Sequence, residues 1–186
     1  MTASPLIRYS IMMAAGQSAL FAYLTAYSLD VLQLSPGTSG YPVAIIGGLS
    51  IPARIIVGAL TQGATRRMLL LMASCAALSA LILMTATADQ RLLLWVGVVL
   101  FALSGAVWNS VAQLTVVQST SSAGAASELS ARLQSGFLAG LVVGPLLAAA
   151  VIDAFDYRLL WTVVAACFAA AAAQCRHRLV STPAHV

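Results

Sequence analysis

Apolar residues in this chain come in long runs, and six of them follow one another with short polar breaks between. The first extends from about Ile11 to Leu29 and closes at Asp30, before a turn-rich stretch with Ser35, Pro36, Gly37 and Gly40. The second covers about Pro42 to Leu60 and the third Met68 to Ala86, parted by a break that holds Arg66 and Arg67. After Asp89 and Arg91 the fourth runs from about Leu92 to Val117. The longest polar stretch follows, Ser119 to Arg132, with Glu128 and Arg132 at the i,i+4 spacing of a helical surface pair. The fifth run covers about Leu133 to Ile152, Asp153 and Asp156 make an acidic turn, and the sixth covers about Leu159 to Ala173. A bilayer crossing takes roughly 20 apolar residues. The pattern therefore predicts an all-α integral membrane protein of six transmembrane helices, with residues 1–186 as a single domain in a lipid bilayer.

Composition removes the alternatives. Hydrophobic residues make up 61% of the chain and charged residues 8%, against roughly 25% charged in a soluble domain. Short loops and six spans use nearly the whole length, leaving nothing for a catalytic domain outside the bilayer. The net charge of +4 rests on nine basic residues, all of them Arg, scattered singly or in pairs without a basic face or an aromatic platform, so nucleic acid is not an expected partner. Arginine without lysine is the usage of a GC-rich genome, which points to a bacterial inner or plasma membrane. Cys75, Cys167 and Cys175 lie in or beside apolar runs with no CxxC pair and no His at ligand spacing, and read as small apolar side chains rather than a disulfide or metal site. No cofactor motif is present. An intramembrane enzyme would need a Ser with an intramembrane His, paired carboxylates or metal spacing, and the spans offer none of these.

Arginine placement orients the bundle. One side collects Arg8, Arg66, Arg67, Arg132, Arg176 and Arg178, and the other only Arg91 and Arg158. Basic residues near span ends stay cytoplasmic, so both termini are expected there. Within the fifth run Gly136, Gly140 and Gly144 recur every fourth residue, leaving one helix face without side chains for a neighbour to approach, and Pro145 follows directly. Pro52 and Pro145 can bend their helices.

The break after the second span reads Gly58-Ala-Leu-Thr-Gln-Gly-Ala-Thr-Arg66-Arg67. It resembles the loop signature of the major facilitator superfamily, a Gly followed at fixed offsets by Asp-Arg, Gly and two basic residues. Gly58, Arg66 and Arg67 take the matching offsets, while Gln62, Gly63 and Thr65 replace the Asp, Arg and second Gly. Gly144-Pro145 in the fifth span is similar to the Gly-Pro element of that superfamily. The polar loop with Glu128, the acidic turn and Tyr157-Arg158-Leu-Leu-Trp161 are similar to its last two helices. The fit is best to the second six-helix half of a twelve-helix member. The resemblance implies a nested 3+3 inverted repeat, residues 1–91 and 92–186, with a substrate site near the bilayer midplane. It also implies a homodimer or a complementary six-helix half as partner.

Arg54 lies 12 positions before Arg66, about 18 Å along a helix and thus near mid-bilayer. A charge there costs at least ~2.5 kcal/mol and needs a polar cavity or a partner. Its guanidinium is a candidate for binding an anionic group on a small-molecule substrate, and the competing reading is a structural Arg bonded to carbonyls. Its place before Gly58 also looks like the substrate-facing Arg of monocarboxylate-type members, whose acidic residue one turn earlier is Ser50 here. Asn109 and Gln113, one turn apart beside Trp108, form a polar stripe in the fourth span. The superfamily lines its cavity with the first and fourth helices of each half, so these residues, with Gln17, Tyr23 and Tyr27, are cavity candidates; helix-to-helix hydrogen bonding is the other reading. Every Asp and Glu falls in a loop or at a span end, so a proton site would have to come from a partner half. The expected function is transport of a small solute, such as an organic anion, by alternating access, as a half-transporter or a fragment of a twelve-helix one. The alternative is an inactive or regulatory membrane fragment of a truncated transporter gene.

Overall fold

The computed structural model describes residues 3–61, 63 and 65–176. Gln62, His177, Arg178 and His185 lie outside the described residues. The helices are α1 (Ala3–Asp30), α2 (Tyr41–Leu60), α3 (Thr65–Thr85), α4 (Leu92–Leu103), α5 (Trp108–Ser119), α6 (Ala123–Ala154) and α7 (Tyr157–Arg176), with a 3-10 turn at Ala88–Gln90. Five stretches are long and apolar enough to cross a membrane: α2, α3, Leu92–Ser119 taken as one, α6 and the Tyr157–Cys175 part of α7.

α1 is not among those five, because it is the central helix and carries polar groups that its neighbours satisfy. Tyr9 Oη donates to the Leu69 carbonyl at 2.9 Å, Ser10 Oγ to Leu133 at 3.1 Å and Ser18 Oγ to Gly140 at 3.3 Å. Tyr27 Oη donates to the Leu83 and Ala86 carbonyls at 2.6 and 3.0 Å. In hydrocarbon such hydroxyls must find protein partners, and α1 lies where they exist.

The same contacts fix the helix directions. Tyr9 reaches the start of α3 and Tyr27 its end, so α1 and α3 run parallel. Along α6, Gly136 faces Ile7, Gly140 faces Ile11 and Gly144 faces Ala15, so α1 and α6 also run parallel. Arg66 at the start of α3 meets Cys175 at the end of α7, and Thr162 meets Met84, which makes that pair antiparallel. These directions suit six alternating crossings in which α4 and α5 share one. Arg8, Arg66, Arg67 and Arg132 consequently gather at one end of the bundle, and Asp30, Arg91, Asp156 and Arg158 at the other. Exchanging the first three crossings for the last three preserves the main packing pairs: α1 with α6 becomes α4–α5 with α2, α1 with α7 becomes α4–α5 with α3, and α3 with α7 maps onto itself.

The glycine row of α6 is where two backbones meet. A Cβ on Gly140 would press on the Ile11 carbonyl and on Ala14 Cβ at 2.7 Å, and one on Gly144 would overlap the Ala15 carbonyl and Ser18 Oγ. Gly136 is looser, with Ile7 at 3.2 Å. Helix α6 continues through Pro145 and α2 through Pro52.

Three expected boundaries need correction. The fourth span, expected unbroken from Leu92 to Val117, is two 12-residue helices parted by Ser104–Val107. Ser104 leaves helical geometry at φ −130°, ψ −73°, and the Ser104 and Ala106 N–H groups both donate to the Phe101 carbonyl at 3.1 Å. Only a glycine fits at 105, since a Cβ there would enter the Phe101 ring, which itself packs on Phe21 and Phe168. The fifth span begins at Ala123, not Leu133, with Ser122 Oγ accepting the Ala125 N–H at 3.3 Å as its cap. Ala, Glu, Leu and Arg favour helix whether or not lipid surrounds them; at 32 residues, about 48 Å, α6 overruns the ~30 Å hydrocarbon core. Its first turns carry the Glu128–Arg132 ion pair at 2.6 Å. The first span likewise begins earlier, at Ala3 rather than Ile11.

Candidate functional site

α2 and α6 are the least buried crossings, with 17% and 22% of their apolar windows buried against 56% for Leu92–Ser119. Ile51, Ile55 and Ile56 of α2 and Leu138, Val142 and Leu146 of α6 are exposed. Of the candidate residues, Arg54 lies on the open α2 helix and reaches the α4–α5 break.

Arg54 sits in the second half of α2, six residues before its end, and is exposed. Its Nη2 donates to the Ala106 carbonyl at 3.3 Å. Ala106 lies inside the break, between two helices of 12 residues each, so both partners sit near the middle of their crossings. A guanidinium has five N–H donors in a planar fork. One contact to Ala106 leaves the others free to bind a carboxylate or a similar anion in bidentate fashion.

Trp108 opens α5 and is fully buried, its Nε1 donating to Gln17 Oε1 at 2.8 Å. Tyr9 and Phe137 rings pack on it at 5.7 and 5.9 Å, so α1, α5 and α6 are fastened together at this level. Asn109, one residue on, is half-buried, and its Oδ1 is buried without a hydrogen-bond partner among the described residues. Gln113, a turn further, accepts from Ser130 Oγ at 3.3 Å through Oε1, which joins α5 to α6.

The remaining aromatic candidates lie elsewhere. Tyr27 is buried at the far end of α1, bonded to the last carbonyls of α3 and packed on Tyr157 and Trp161 at 5.5 and 5.1 Å. Tyr23 is half-buried and packs on the core a turn before it. The structure thus brings Arg54 to the break that precedes Trp108 and Asn109, and Gln17 to Trp108, and it leaves Tyr27 apart from both.

The motif residues stand at the arginine-rich end. Gly58 lies in the last turn of α2, where an added Cβ would meet nothing within 4 Å. Arg66 donates from Nε and Nη2 to the Cys175 carbonyl at 2.9 and 2.7 Å. It thereby caps the C-terminal turn of α7, where unpaired carbonyls and the helix dipole favour a cation. Arg67 points away and is exposed. Among the described residues no three His, Cys, Asp or Glu side chains converge as metal ligands would.

Sequence reasoning missed the Ala106 carbonyl and the break that frees it. Its one signal was Ser104-Gly105 at the centre of an otherwise apolar run, which also reads as ordinary helix packing.

No curated protein and no solved structure matches the chain. The family model of the Major Facilitator Superfamily matches residues 1–131, from α1 into the first turns of α6. The matched stretch holds Arg54, the broken fourth crossing and the Gly58–Arg67 turn, and the chain belongs to the major facilitator superfamily, whose members carry small solutes across membranes.

Proposed function

We propose that the chain carries an organic anion by alternating access, as one six-helix half that works with a second copy or with a complementary half. The observation that carries this reading is Arg54: a guanidinium near mid-depth on the open α2 side, sharing one hydrogen bond with the Ala106 carbonyl and keeping donors for a ligand. Desolvated cations of this kind face a polar pathway or a partner. The unfilled hydrogen-bonding capacity of Asn109 Oδ1 beside the break adds a second polar group for the same ligand.

The packing pairs that survive exchange of the first and last three crossings support a nested 3+3 inverted repeat of residues 1–91 and 92–186. The poorly buried faces of α2 and α6 support a partner half on that side. The cluster of arginines at one end supports cytoplasmic placement of both termini in a bacterial inner membrane. Resemblance of the Gly144-Pro145 and Tyr157–Trp161 segments supports the second half of a twelve-helix member. The carboxylates of Asp30, Asp89, Glu128, Asp153 and Asp156 all fall in loops or toward helix ends, which favours exchange or facilitated diffusion over proton coupling by this chain alone.

Uptake of a series of radiolabelled carboxylates into proteoliposomes tests the reading. Arg54→Leu is expected to abolish anion uptake, and Arg54→Lys, which keeps charge but not the planar fork, to leave a small fraction. Uptake unchanged in Arg54→Leu would remove the proposal.

A further inference from the structure

On the flank away from α2, helices α3 and α7 enclose an open groove of about 570 Å³. Leu70, Ser74 and Leu81 of α3 and Ala169, Ala172 and Ala173 of α7 line it. The methyl side chains of α7 make the hollow, and the leucines of α3 form its rim. From Leu70 to Leu81 is 11 residues, about 16 Å along the helix, close to half of a ~30 Å hydrocarbon core. The groove therefore has the length of one leaflet.

Its mouth is charged. Arg67 stands one turn before Leu70 on the same face of α3 and is exposed, while its neighbour Arg66 is occupied by the Cys175 carbonyl. α7 runs past Ala172 and Ala173 to Arg176. Both helices thus lead from the hollow to the arginine-rich end. We propose that the groove is a binding site for one anionic phospholipid, an acyl chain lying along Leu70–Leu81 and the phosphate held by Arg67.

Charge and shape both favour lipid over another helix. A second copy in the same membrane orientation would bring its own Arg67 to the same end, setting like charges together. Leu78 and Leu81, 52% and 42% exposed, stand out from the rim and prevent the backbone approach that small-residue helix contacts need. Basic residues at the membrane end of an interhelical groove are what anionic headgroups recognise.

The test uses the whole chain in detergent, titrated with phosphatidylglycerol or phosphatidylcholine and read by native mass spectrometry. Phosphatidylglycerol is expected to be retained in preference to phosphatidylcholine. Arg67→Gln should weaken its retention about fivefold, the worth of one basic residue at an anionic surface. Ala169→Phe, an exposed position where bulk fills the groove, should weaken it as well. Arg132→Gln removes the same charge at the same end but off the groove and should leave retention unchanged. Equal loss in Arg132→Gln would mean diffuse attraction and overturn the site, as would retention indifferent to Arg67→Gln. Disulfide cross-linking between copies through Ser74→Cys would show a second chain in the groove and overturn it too. Should Ala169→Phe fail to fold, the Arg67 and Arg132 pair decides the matter alone.

Discussion

Replacing Gly144 with alanine adds a single methyl group to the most crowded backbone contact in the bundle. The new Cβ would overlap the Ala15 carbonyl oxygen and Ser18 Oγ and lie 2.9 Å from the Ala15 carbonyl carbon. Two of the three obstacles are backbone, so no side-chain rotation relieves the overlap, and α1 would have to slide. It is held against sliding by the hydrogen bonds of Tyr9, Ser10 and Tyr27 to α3 and α6. Overpacking of this kind costs about 1–3 kcal/mol, while alanine returns up to about 1 kcal/mol in helix propensity. With the full return the net loss is about 0–2 kcal/mol, at most roughly 30-fold in the folded-to-unfolded ratio, and about 1–3 kcal/mol relative to a variant that takes the propensity gain alone. Gly48→Ala is the matched control, because a Cβ on Gly48 meets nothing within 4 Å and only the propensity gain applies. Titration of helical circular dichroism with sodium dodecyl sulfate in mixed micelles would measure both. Gly144→Ala as stable as Gly48→Ala would refute the claim that α1 and α6 touch backbone to backbone.

Arg66→Ala removes both donors to the Cys175 carbonyl and should fray the last turn of α7, raising amide exchange there and lowering stability by about 2 kcal/mol; exchange unaltered in that turn would contradict the cap. Gly105→Ala forces a methyl into the Phe101 ring, so the midpoint of the same detergent titration should fall by the equivalent of about 1–3 kcal/mol. Tyr27→Phe deletes the hydroxyl shared by the Leu83 and Ala86 carbonyls and should cost about 1 kcal/mol without altering anion uptake, since Tyr27 lies away from Arg54; lost uptake in a folded Tyr27→Phe protein would place that residue in the pathway after all. Glu128→Gln breaks an exposed i,i+4 pair, and its effect should stay within about 0.5 kcal/mol.

Lipid as solvent made most of this fold readable from one sequence. An apolar run that must satisfy its own backbone has no option but helix, so run lengths predicted six crossings, five of which the structure shows as stretches long and apolar enough to span, and the arginine count gathered the ends that the folded bundle also gathers. Two features escaped because polarity is only a proxy for backbone geometry. The stretch from Ser119 to Arg132 is polar enough to leave the bilayer, yet from Ala125 to Arg132 it holds good helix formers, and α6 runs unbroken from it into the apolar stretch. The reverse error occurred at Ser104–Val107, where apolar composition concealed a departure from helix that depends on Gly105 clearing a single phenyl ring.

That second error bears on the site. Spacing from Arg66 placed Arg54 near mid-bilayer, but spacing alone left a structural arginine and a ligand-binding one equally admissible. The break shows why the two readings are not exclusive. A continuous fourth helix would have spent the Ala106 carbonyl on its own ladder. With the ladder interrupted, the carbonyl accepts one guanidinium N–H at 3.3 Å, a long and replaceable bond. On the proposed function, Arg54 rests against its own protein when unliganded and turns to a stronger, charged acceptor when one arrives. The residue and the break share one contact; the residue is plain in the sequence, while the break shows there only as Ser104-Gly105.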